Sequence, residues 1–394
     1  MSSGESKTAL SGYTANNRIR LVRGGKEYFK QLYQLIDQAQ ESIHLQMYIF
    51  TDDETGKYVA EKLILAAGRN VSIYIVADGY ASQEISPLFI RKLTDAGIHF
   101  RFFEPIFKSR YYYFGRRLHH KLVVTDTRYA LVGGINLSNN YNDIPGEPAW
   151  LDFALYAEGE IARGLCVLCW KTWNAYPAHM ELTPCEGKPL QFDIPAAEAC
   201  LVRMRRNDWV RRKNEISRSY REIFRKANHQ IIMVSSYFLP GKEFRRNIQK
   251  AVHRGVTIKL ILAGASDVWI AKQAERYMYR WLLRNQIETY EYQPSILHAK
   301  MAICDAKWLT LGSYNVNNIS AFASIELNLD VNNELFTRAV KEEIEAIIVK
   351  DCIRLTEHDL NSKNTLLRRL WQSTCYGSIR ILFYLFTFYF KQRE

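Results

Sequence analysis

The sequence has no apolar run long enough to cross a lipid bilayer, which takes about 20 consecutive residues in a helix. The longest uncharged apolar run is ILFYLFTFYF, residues 381–390, close to the C-terminus. Residues 1–16 are polar and contain no apolar segment of the kind found in secretion signals, so we expect a flexible N-terminus. We therefore expect neither a secretion signal nor a membrane-spanning helix in this sequence.

The sequence also lacks the cysteine patterns typical of disulfide frameworks or zinc sites. Its seven cysteines are an odd number, and most lie in apolar surroundings. Cys166 and Cys169 have CxxC spacing, but no second Cys or His pair follows at the distance that zinc ligands need. We expect reduced, buried thiols.

Acidic residues are outnumbered, with 41 Asp and Glu against 53 Lys and Arg, which gives a net charge of +12. Such a surface attracts anions, and both nucleic acid and anionic lipid head groups fit this description. The 394 residues, 47% of them hydrophobic, are enough for one large domain or two of ordinary size. Charge alone does not choose between the two ligands.

An internal repeat organises the chain. ESIHLQMYIF, from Glu41, is echoed by HQIIMVSSYF, from His229, and each opens a segment that reads strand, turn, helix, strand. The repeat predicts a duplicated α/β fold in which two pseudo-symmetric halves have mixed sheets flanked by helices. The predicted bounds are 1–16 for the N-terminus, 17–177 for the first half, 178–200 for a linker, 201–355 for the second half and 356–394 for an amphipathic, membrane-associating tail.

The strongest match within the repeat is HHKLVVTDTRYALVGGIN against HAKMAICDAKWLTLGSYN. Because side chains alternate along a strand, a histidine and the lysine two residues later face the same side. The aspartate lies an odd number of residues from the histidine and begins a predicted hairpin turn, so we interpret it as an organiser of that turn. The residues that match at one constant spacing are His119, Lys121, Asp126, Gly133 and Asn136 in the first half, and His298, Lys300, Asp305, Gly312 and Asn315 in the second.

This pattern indicates phosphodiester chemistry. A histidine that attacks phosphorus forms a phosphohistidine, and a second histidine protonates the leaving alcohol and then deprotonates the incoming one. Two lysines and two asparagines would stabilise the transition-state charge, a role that a metal ion has elsewhere, so no metal or other cofactor is required. Gly133 and Gly134, like Gly312 and Ser313, would let the backbone approach a substrate or the next strand. The scheme needs one histidine from each half and predicts a single shared active site.

The segments HHKLVVTD and HAKMAICD resemble the two HKD motifs of the phospholipase D superfamily. More narrowly, the chain is similar to bacterial cardiolipin synthases of the short type that lacks paired N-terminal transmembrane helices, through NRIRLVRGGKEYF, RRLHHK, GGIN, SYFLPGKEF and NVNNIS. The resemblance covers residues 17–355. It implies that Asn136 and Asn315 bind phosphate, and that the active site consists of His119, Lys121, Asp126, His298, Lys300 and Asp305.

The resemblance also implies acidic residues that orient the histidines. Asp152 in WLDFAL and Glu326 in SIELNL occupy equivalent places after the two motifs. The alternative for each is a carboxylate at a strand end with a structural partner. His120 adds a second imidazole beside His119, but alternation turns it to the other strand face, and the family tendency favours His119 as the nucleophile.

The implied reaction is phosphatidyl transfer between two phosphatidylglycerol molecules, which gives cardiolipin and glycerol. The apolar, arginine-flanked tail from Leu366 favours an anionic membrane as partner, so we expect a peripheral protein on the cytoplasmic face of the cell membrane. A terminal helix packed on the protein's own core remains the alternative for that tail. The same chemistry would make a phospholipase with water as acceptor, or a nuclease with DNA as donor. A catalytically inactive scaffold is disfavoured because both motifs are intact.

Two basic segments lie outside the repeated motifs. VRMRRNDWVRRKNEISRSYREIF, from Val202, is predicted to be helical and could serve lipid, nucleic acid or simply a solvated face. FKSRYYYFGR, residues 107–116, has no counterpart in the second half and directly precedes the first motif. Its tyrosines and arginines suit lipid head groups at the mouth of the site, with a plain covering loop as the alternative.

Overall fold

The computed structural model describes residues 12–104, 116–174, 184–185, 190–317, 324–362 and 365–391. Most of the basic insertion, at residues 107–115, lies outside these ranges. So does much of the predicted linker. The bounds proposed for the halves, the linker and the tail stay predictions.

The first half folds into a mixed seven-stranded sheet covered by helices. The seven strands of this sheet are β1 (Asn17–Arg23), β2 (Ser42–Met47), β3 (Ser72–Asp78), β4 (His99–Phe103), β6 (Lys121–Thr125), β7 (Tyr129–Gly133) and β8 (Phe153–Gly159), and the short strand β5 (Arg117–Leu118) lies outside it. The sheet order is β1-β8-β7-β6-β2-β3-β4, with β2, β3 and β4 parallel to one another. Its helices are α1 (Lys26–Gln38), α2 (Glu54–Ala67), α3 (Pro87–Asp95) and α4 (Glu160–Trp173).

The second half repeats this arrangement strand for strand. Its strands are β9 (Leu201–Asp208), β10 (Lys213–Asn214), β11 (Gln230–Ser235), β12 (Thr257–Ala263), β13 (Glu288–Tyr292), β14 (Lys300–Cys304), β15 (Trp308–Gly312), β16 (Ser324–Asn332) and β17 (Cys352–Arg354). The order β9-β16-β15-β14-β11-β12-β13 matches that of the first sheet, and β10 and β17 extend the two edges. Its helices are α5 (Glu215–Lys226), α6 (Lys242–His253), α7 (Trp269–Arg284), α8 (Glu334–Asp351), α9 (Glu357–Ser362) and α10 (Leu366–Lys391).

Local sequence explains where several helices begin. The Asp53 side chain accepts the Gly56 N–H at the start of α2, and Asn333 accepts the Phe336 N–H at the start of α8. These side-chain oxygens satisfy backbone donors that have no partner within the helix. Both helices then bury one apolar face against a sheet, as amphipathic surface helices do.

The two sheets pack into one body. Apolar residues of β7 and β8 share one core cluster with apolar residues of β15 and β16, so the halves bury each other. The short strand β5, from the first half, pairs in parallel with β16 of the second. Leu151 forms an isolated bridge with Leu297. The predicted α/β fold of two pseudo-symmetric halves is confirmed, and the contacts that join the halves lie next to the repeated motifs.

The helix predicted from Val202 is wrong for its first part. Residues 201–208 form strand β9, which pairs with β16, and the helix α5 begins only at Glu215. Arg203 and Arg205 both bind the buried carboxylate of Asp330 on β16, so this part of the basic segment is held in ion pairs. Pairing with a distant strand overrides local helical preference, which a single segment cannot reveal.

Arg116 is the one residue of the basic insertion that the structure describes. Its guanidinium is buried and lies 3.1 Å from Asp208 of the second half and 3.6 Å from Glu104 of the first. Arg116 therefore joins the halves. The role proposed for the rest of the insertion concerns residues outside the described ranges.

The tail forms the helix α10, which lies along α7. Cys375 is buried between the helices, and Tyr376 stacks on Tyr277 with ring centroids 4.8 Å apart. Within the described ranges, no helix combines the length and the hydrophobicity needed to cross a bilayer. One face of α10 is thus packed on α7.

Candidate active site

The two motif aspartates organise hairpin turns. Asp126 and Thr127 have positive φ values of 52° and 60°, and Asp305 and Ala306 repeat this at 49° and 52°. The Asp126 carboxylate accepts backbone N–H groups from three consecutive residues, at 2.8–3.0 Å, and Asp305 does the same in its own half. Each aspartate thereby ties its hairpin to the start of the neighbouring strand, β2 or β11.

The aspartates are far from the histidines. Asp126 follows β6 at its far end, and at about 3.3 Å per residue seven residues span roughly 20 Å. The resemblance had implied that Asp126 and Asp305 belong to the active site, but the structure does not bring them to it. Their hydrogen bonds instead fix where β6 and β14 begin and end, and so position the histidines that precede those strands.

We expect replacement of Asp126 by alanine to destabilise the fold while leaving the chemistry largely intact. The change removes a charged acceptor from three backbone donors, and we expect it to lower the free energy of unfolding by about 2–4 kcal/mol. The denaturant midpoint measures this, and specific activity well below the melting temperature should stay within a few-fold of the unsubstituted protein. Abolished activity with an unchanged midpoint would contradict a structural role.

The histidine of each motif is held by a carboxylate of the opposite half. His119 Nδ1 donates to Glu326 Oε2 at 2.8 Å, and His298 Nδ1 donates to Asp152 Oδ2 at 2.6 Å. Both carboxylates are almost fully buried. A proton held on Nδ1 leaves Nε2 as the nitrogen with a free lone pair, which can attack phosphorus or accept a proton.

Backbone contacts reinforce this crossing. The His119 N–H donates to the carbonyl oxygen of Ile325, next to Glu326, and the His298 N–H donates to that of Leu151, next to Asp152. Each histidine is therefore held by two hydrogen bonds, one from its backbone N–H and one from its imidazole, to adjacent residues of the other half. This geometry explains why a single active site needs both halves packed together.

Ser313 and Gly134 occupy equivalent positions but treat the two carboxylates differently. The Ser313 hydroxyl donates to Glu326 and accepts the Leu327 N–H. At the other position a Cβ would collide with the Asp152 carboxylate, so glycine is required there. The mismatch between Gly134 and Ser313 follows from the different carboxylates that they contact.

The two motif lysines are buried beside the histidines. Lys121 Nζ donates to the His119 carbonyl oxygen at 3.0 Å and lies 4.6 Å from the centre of the Tyr48 ring. Lys300 Nζ donates to the His298 carbonyl oxygen and lies 3.9 Å from Asp152. These contacts place both ammonium groups next to the imidazoles, where a phosphate would bind.

Burial dominates the electrostatics of the site. It lowers the pKa of His298 to about 4, with Lys300 adding to the shift and Asp152 opposing it. Burial likewise lowers the pKa of His119, that of Lys300 to about 8, and that of Lys121 well below its usual value. The lysine of each half also lowers the pKa of the other half's histidine, which supports one shared site. A phosphodiester anion bound among these groups would favour their charged forms.

We expect kcat/KM to fall as the pH rises through about 8. Below its pKa the Lys300 ammonium is charged and attracts the phosphodiester, and above it the charge is lost. Lys300→Arg keeps its charge over this range, so its alkaline limb should move to higher pH even if its rate is lower throughout. An unchanged alkaline limb in Lys300→Arg would assign the titration to another group.

The two predicted phosphate ligands each use their amide oxygen in a hydrogen bond within the protein. Asn136 Oδ1 accepts the Ile49 N–H, and its buried Nδ2 makes no hydrogen bond among the described residues. Asn315 Oδ1 accepts the Ser236 hydroxyl. In both asparagines the amide oxygen is occupied by a hydrogen bond within the protein, so the amide nitrogen is the atom that could donate to a phosphate. Gly133 and Gly312, in contrast, are pressed against backbone atoms of the adjoining strands, so they serve strand packing.

His120 points away from this site. It is fully buried, and its Nδ1 lies 2.9 Å from Gln46 Oε1. Burial lowers its pKa to about 3. The expectation that His120 faces the other side of the strand agrees with this position.

Sequence analysis missed the aromatic residues around the histidines. Tyr48 packs edge-on against His119 with ring centroids 4.5 Å apart, and Tyr141 does so against His298 at 5.2 Å. The Tyr141 hydroxyl lies 3.3 Å from His298 Nε2. The repeat gives no signal for Tyr48, because Met47 and Ser235 pair with the motif lysines and the residue equivalent to Tyr48 is therefore Ser236. Tyr141 carries no such signal either.

A duplicated α/β body in which two HxK histidines are each oriented by a carboxylate of the opposite half defines a member of the phospholipase D superfamily. A family described as "Cardiolipin synthase, PLD-like domain" matches residues 32–151 and 220–348. The chain belongs to this family of phospholipase D-like cardiolipin synthases.

Individual relatives agree with this assignment. The chain is 31% identical over 344 residues to cardiolipin synthase B of Shigella flexneri, covering 86% of this chain and 83% of that protein. It is 26% identical over 367 residues to cardiolipin synthase 1 of Bacillus anthracis, covering 90% and 70%. Among solved structures, the phosphatidylserine synthase of Haemophilus influenzae is similar with a TM-score of 0.73, covering 97% and 98% at 15% identity, which shows the shared fold.

Proposed function

We propose that this protein is a cardiolipin synthase, which transfers the phosphatidyl group of one phosphatidylglycerol to a second and releases glycerol. The observation that carries the proposal is the crossed arrangement, in which two imidazoles from different halves are each oriented by a buried carboxylate. Two such groups with buried ammonium neighbours suit double displacement at a phosphodiester. Membership of the family and the names of the relatives supply the substrate class.

In the first step His119 Nε2 attacks the phosphorus of the donor. The N–P bond forms, the bond from phosphorus to the glycerol oxygen breaks, and that oxygen takes a proton from protonated His298. The bound phosphate raises the pKa of His298 from its low value in the empty site, which makes this proton available. Lys121, Lys300 and the amides of Asn136 and Asn315 stabilise the charge on the phosphoryl oxygens.

In the second step the acceptor phosphatidylglycerol replaces glycerol. Neutral His298 takes the proton of its free hydroxyl, the oxygen attacks phosphorus, and the N–P bond to His119 breaks. Cardiolipin leaves, and the proton that His298 gave in the first step has been returned to it. No step calls for a cofactor.

The division of roles between the histidines is supported by their surroundings. The Tyr141 hydroxyl lies 3.3 Å from His298 Nε2 and 3.4 Å from His298 Nδ1, so it contacts the edge of this imidazole. A proton carrier benefits from such a contact, whereas a nucleophile must leave it. His119 is therefore the proposed nucleophile.

The proposed setting is the cytoplasmic face of the cell membrane, with the protein bound peripherally to anionic lipid. The net charge of +12 favours such a surface. All seven cysteines lie within the described ranges and none of them forms a disulfide, which suits a reducing compartment. Phosphatidylglycerol then supplies both the substrate and part of the anionic surface.

Incubation with phosphatidylglycerol labelled in its terminal glycerol tests the reaction. We expect labelled glycerol and cardiolipin to appear in equal amounts, and neither to appear with the His119→Ala, His298→Ala double variant. Phosphatidic acid as the sole lipid product would make the protein a hydrolase. Cleavage of DNA without any lipid turnover would make it a nuclease.

A further inference from the structure

A group of exposed apolar side chains surrounds the start of α7 and the start of α10. We name this surface the apolar rim, and its members are 47–79% exposed. The rings of Trp269 and Trp371 lie 5.8 Å apart and join the two helix ends into one surface. Its residues are Val268, Trp269, Ile270, Leu366, Leu367, Leu370 and Trp371.

The apolar rim is connected directly to the active site. Asp267, which precedes it, accepts a hydrogen bond from the Tyr237 hydroxyl. Both groups lie near Tyr141, whose ring packs against His298, since each adds to the burial that raises the pKa of Tyr141. The negative charge of Asp267 also raises the pKa of Lys300, against the lowering effect of burial. The apolar rim thus begins one residue from a group that acts on the catalytic lysine.

The charges on α10 indicate what covers this surface. The helix carries Arg368, Arg369, Arg380 and Lys391 and not one Asp or Glu. Arg368 and Arg369 are exposed and stand between the rim leucines. Basic residues among exposed leucine and tryptophan are typical of a segment that lies in an anionic lipid interface.

The length of α10 fits the same partner. Its 26 residues extend about 39 Å at 1.5 Å per residue, and its last part contains the uncharged run 381–390. That run is about 15 Å long as a helix, half the thickness of the hydrocarbon core, so it is too short to span a bilayer. A helix fixed to the body along α7 can instead lie in the membrane plane.

We propose that the apolar rim is the membrane-docking surface, that it inserts among the head groups of an anionic bilayer, and that it thereby places the active-site mouth against the lipid. This proposal rests on the proposed function, because it concerns how a phospholipid reaches the site. When the active-site mouth is adjacent to the inserted residues, the phosphodiester of a lipid needs to move only a short distance out of the bilayer to reach the site. The acyl chains can then remain in lipid during both steps.

Two charge-matched variants test the proposal. Leu367→Glu with Leu370→Glu places two carboxylates on the apolar rim, and Leu335→Glu with Val349→Glu places two on α8, where both side chains are also exposed. Since all four positions are exposed, both variants should keep the native melting temperature. We expect the rim variant to bind phosphatidylglycerol vesicles at least tenfold more weakly, and the α8 variant to stay within about threefold of the unsubstituted protein.

Turnover is measured separately on short-chain phosphatidylglycerol below its micelle concentration. We expect both variants to form cardiolipin at about the unsubstituted rate there, and the rim variant to lose at least tenfold on vesicles. Failure of the unsubstituted protein to form cardiolipin from either the soluble substrate or the vesicles would overturn the proposed function, while vesicle binding would still test the docking surface.

Three results would overturn the docking proposal itself. The first is equal vesicle binding by the two variants. The second is binding to phosphatidylcholine vesicles as tight as to phosphatidylglycerol vesicles, which would remove the anionic requirement. The third is a dimer that the rim variant dissociates without loss of vesicle binding, which would make a second copy of the chain the occupant of the apolar rim.

Discussion

Replacing His298 with alanine is expected to trap the phosphatidyl-enzyme, whereas replacing His119 is expected to prevent its formation. His298 is assigned the proton transfers and His119 the bond to phosphorus. A phosphatidyl ester of nitrophenol makes the distinction sharp, because nitrophenolate leaves without a proton donor. The His298→Ala variant should release about one equivalent of nitrophenol and then stall, with the second step slowed by about 10²–10⁴.

The covalent species provides the direct measurement. Intact-protein mass should increase by one phosphatidyl group in His298→Ala, and the adduct should be labile to acid, as a phosphohistidine is. The double variant His119→Ala, His298→Ala is the control for non-covalent lipid. Accumulation in His119→Ala and not in His298→Ala would reverse the assignment of the two histidines, and no adduct in either variant would argue against covalent catalysis.

The second large effect concerns the crossed carboxylates. Because Glu326 holds His119, Glu326→Gln should slow the initial nitrophenol burst, while Asp152→Asn should slow the turnover that follows it. We expect roughly a 10²-fold loss or more in the affected step, since each change weakens the hydrogen bond that fixes the imidazole tautomer and orientation. Each carboxylate therefore controls the step performed by the histidine of the other half.

Stopped-flow release of nitrophenol resolves the two phases. Asp126→Asn is the matched control, because it also neutralises a carboxylate, but one that holds a hairpin turn. If Asp152→Asn slowed the burst and Glu326→Gln slowed the later phase, each carboxylate would be serving the histidine of its own half, and the crossed geometry would lose its functional meaning. A third possibility, equal effects on both phases, would indicate that the carboxylates mainly hold the two halves together.

The pKa of Asp152 bears on how such variants behave. Burial alone would raise it, but Lys300 and His298 outweigh burial and keep the pKa below its usual value. The carboxylate is therefore ionised throughout the neutral range, and Asp152→Asn removes a full charge from beside Lys300. Part of its effect should appear as a lower pKa for Lys300, which would move the alkaline limb of the pH profile to lower pH.

Local sequence predicted some of the site correctly and some of the fold wrongly. The hairpin turns at Asp126 and Asp305 follow from residue type and parity, and both turns are present. The segment from Val202 was taken as helical, yet it is the strand β9, because its pairing with β16 is decided more than a hundred residues later in the chain. Local preference cannot contain that information.

The sequence by itself determined the duplication, the α/β class and the paired motifs, because periodicity and repetition are properties of neighbouring residues. It also pointed to Asp152 and Glu326 as acidic partners. Only the tertiary structure decided which histidine each one holds, since the contacts join residues 146 and 207 positions apart and depend on how two sheets pack. Tertiary packing also brought together the starts of α7 and α10, which are distant in sequence, to form the apolar rim.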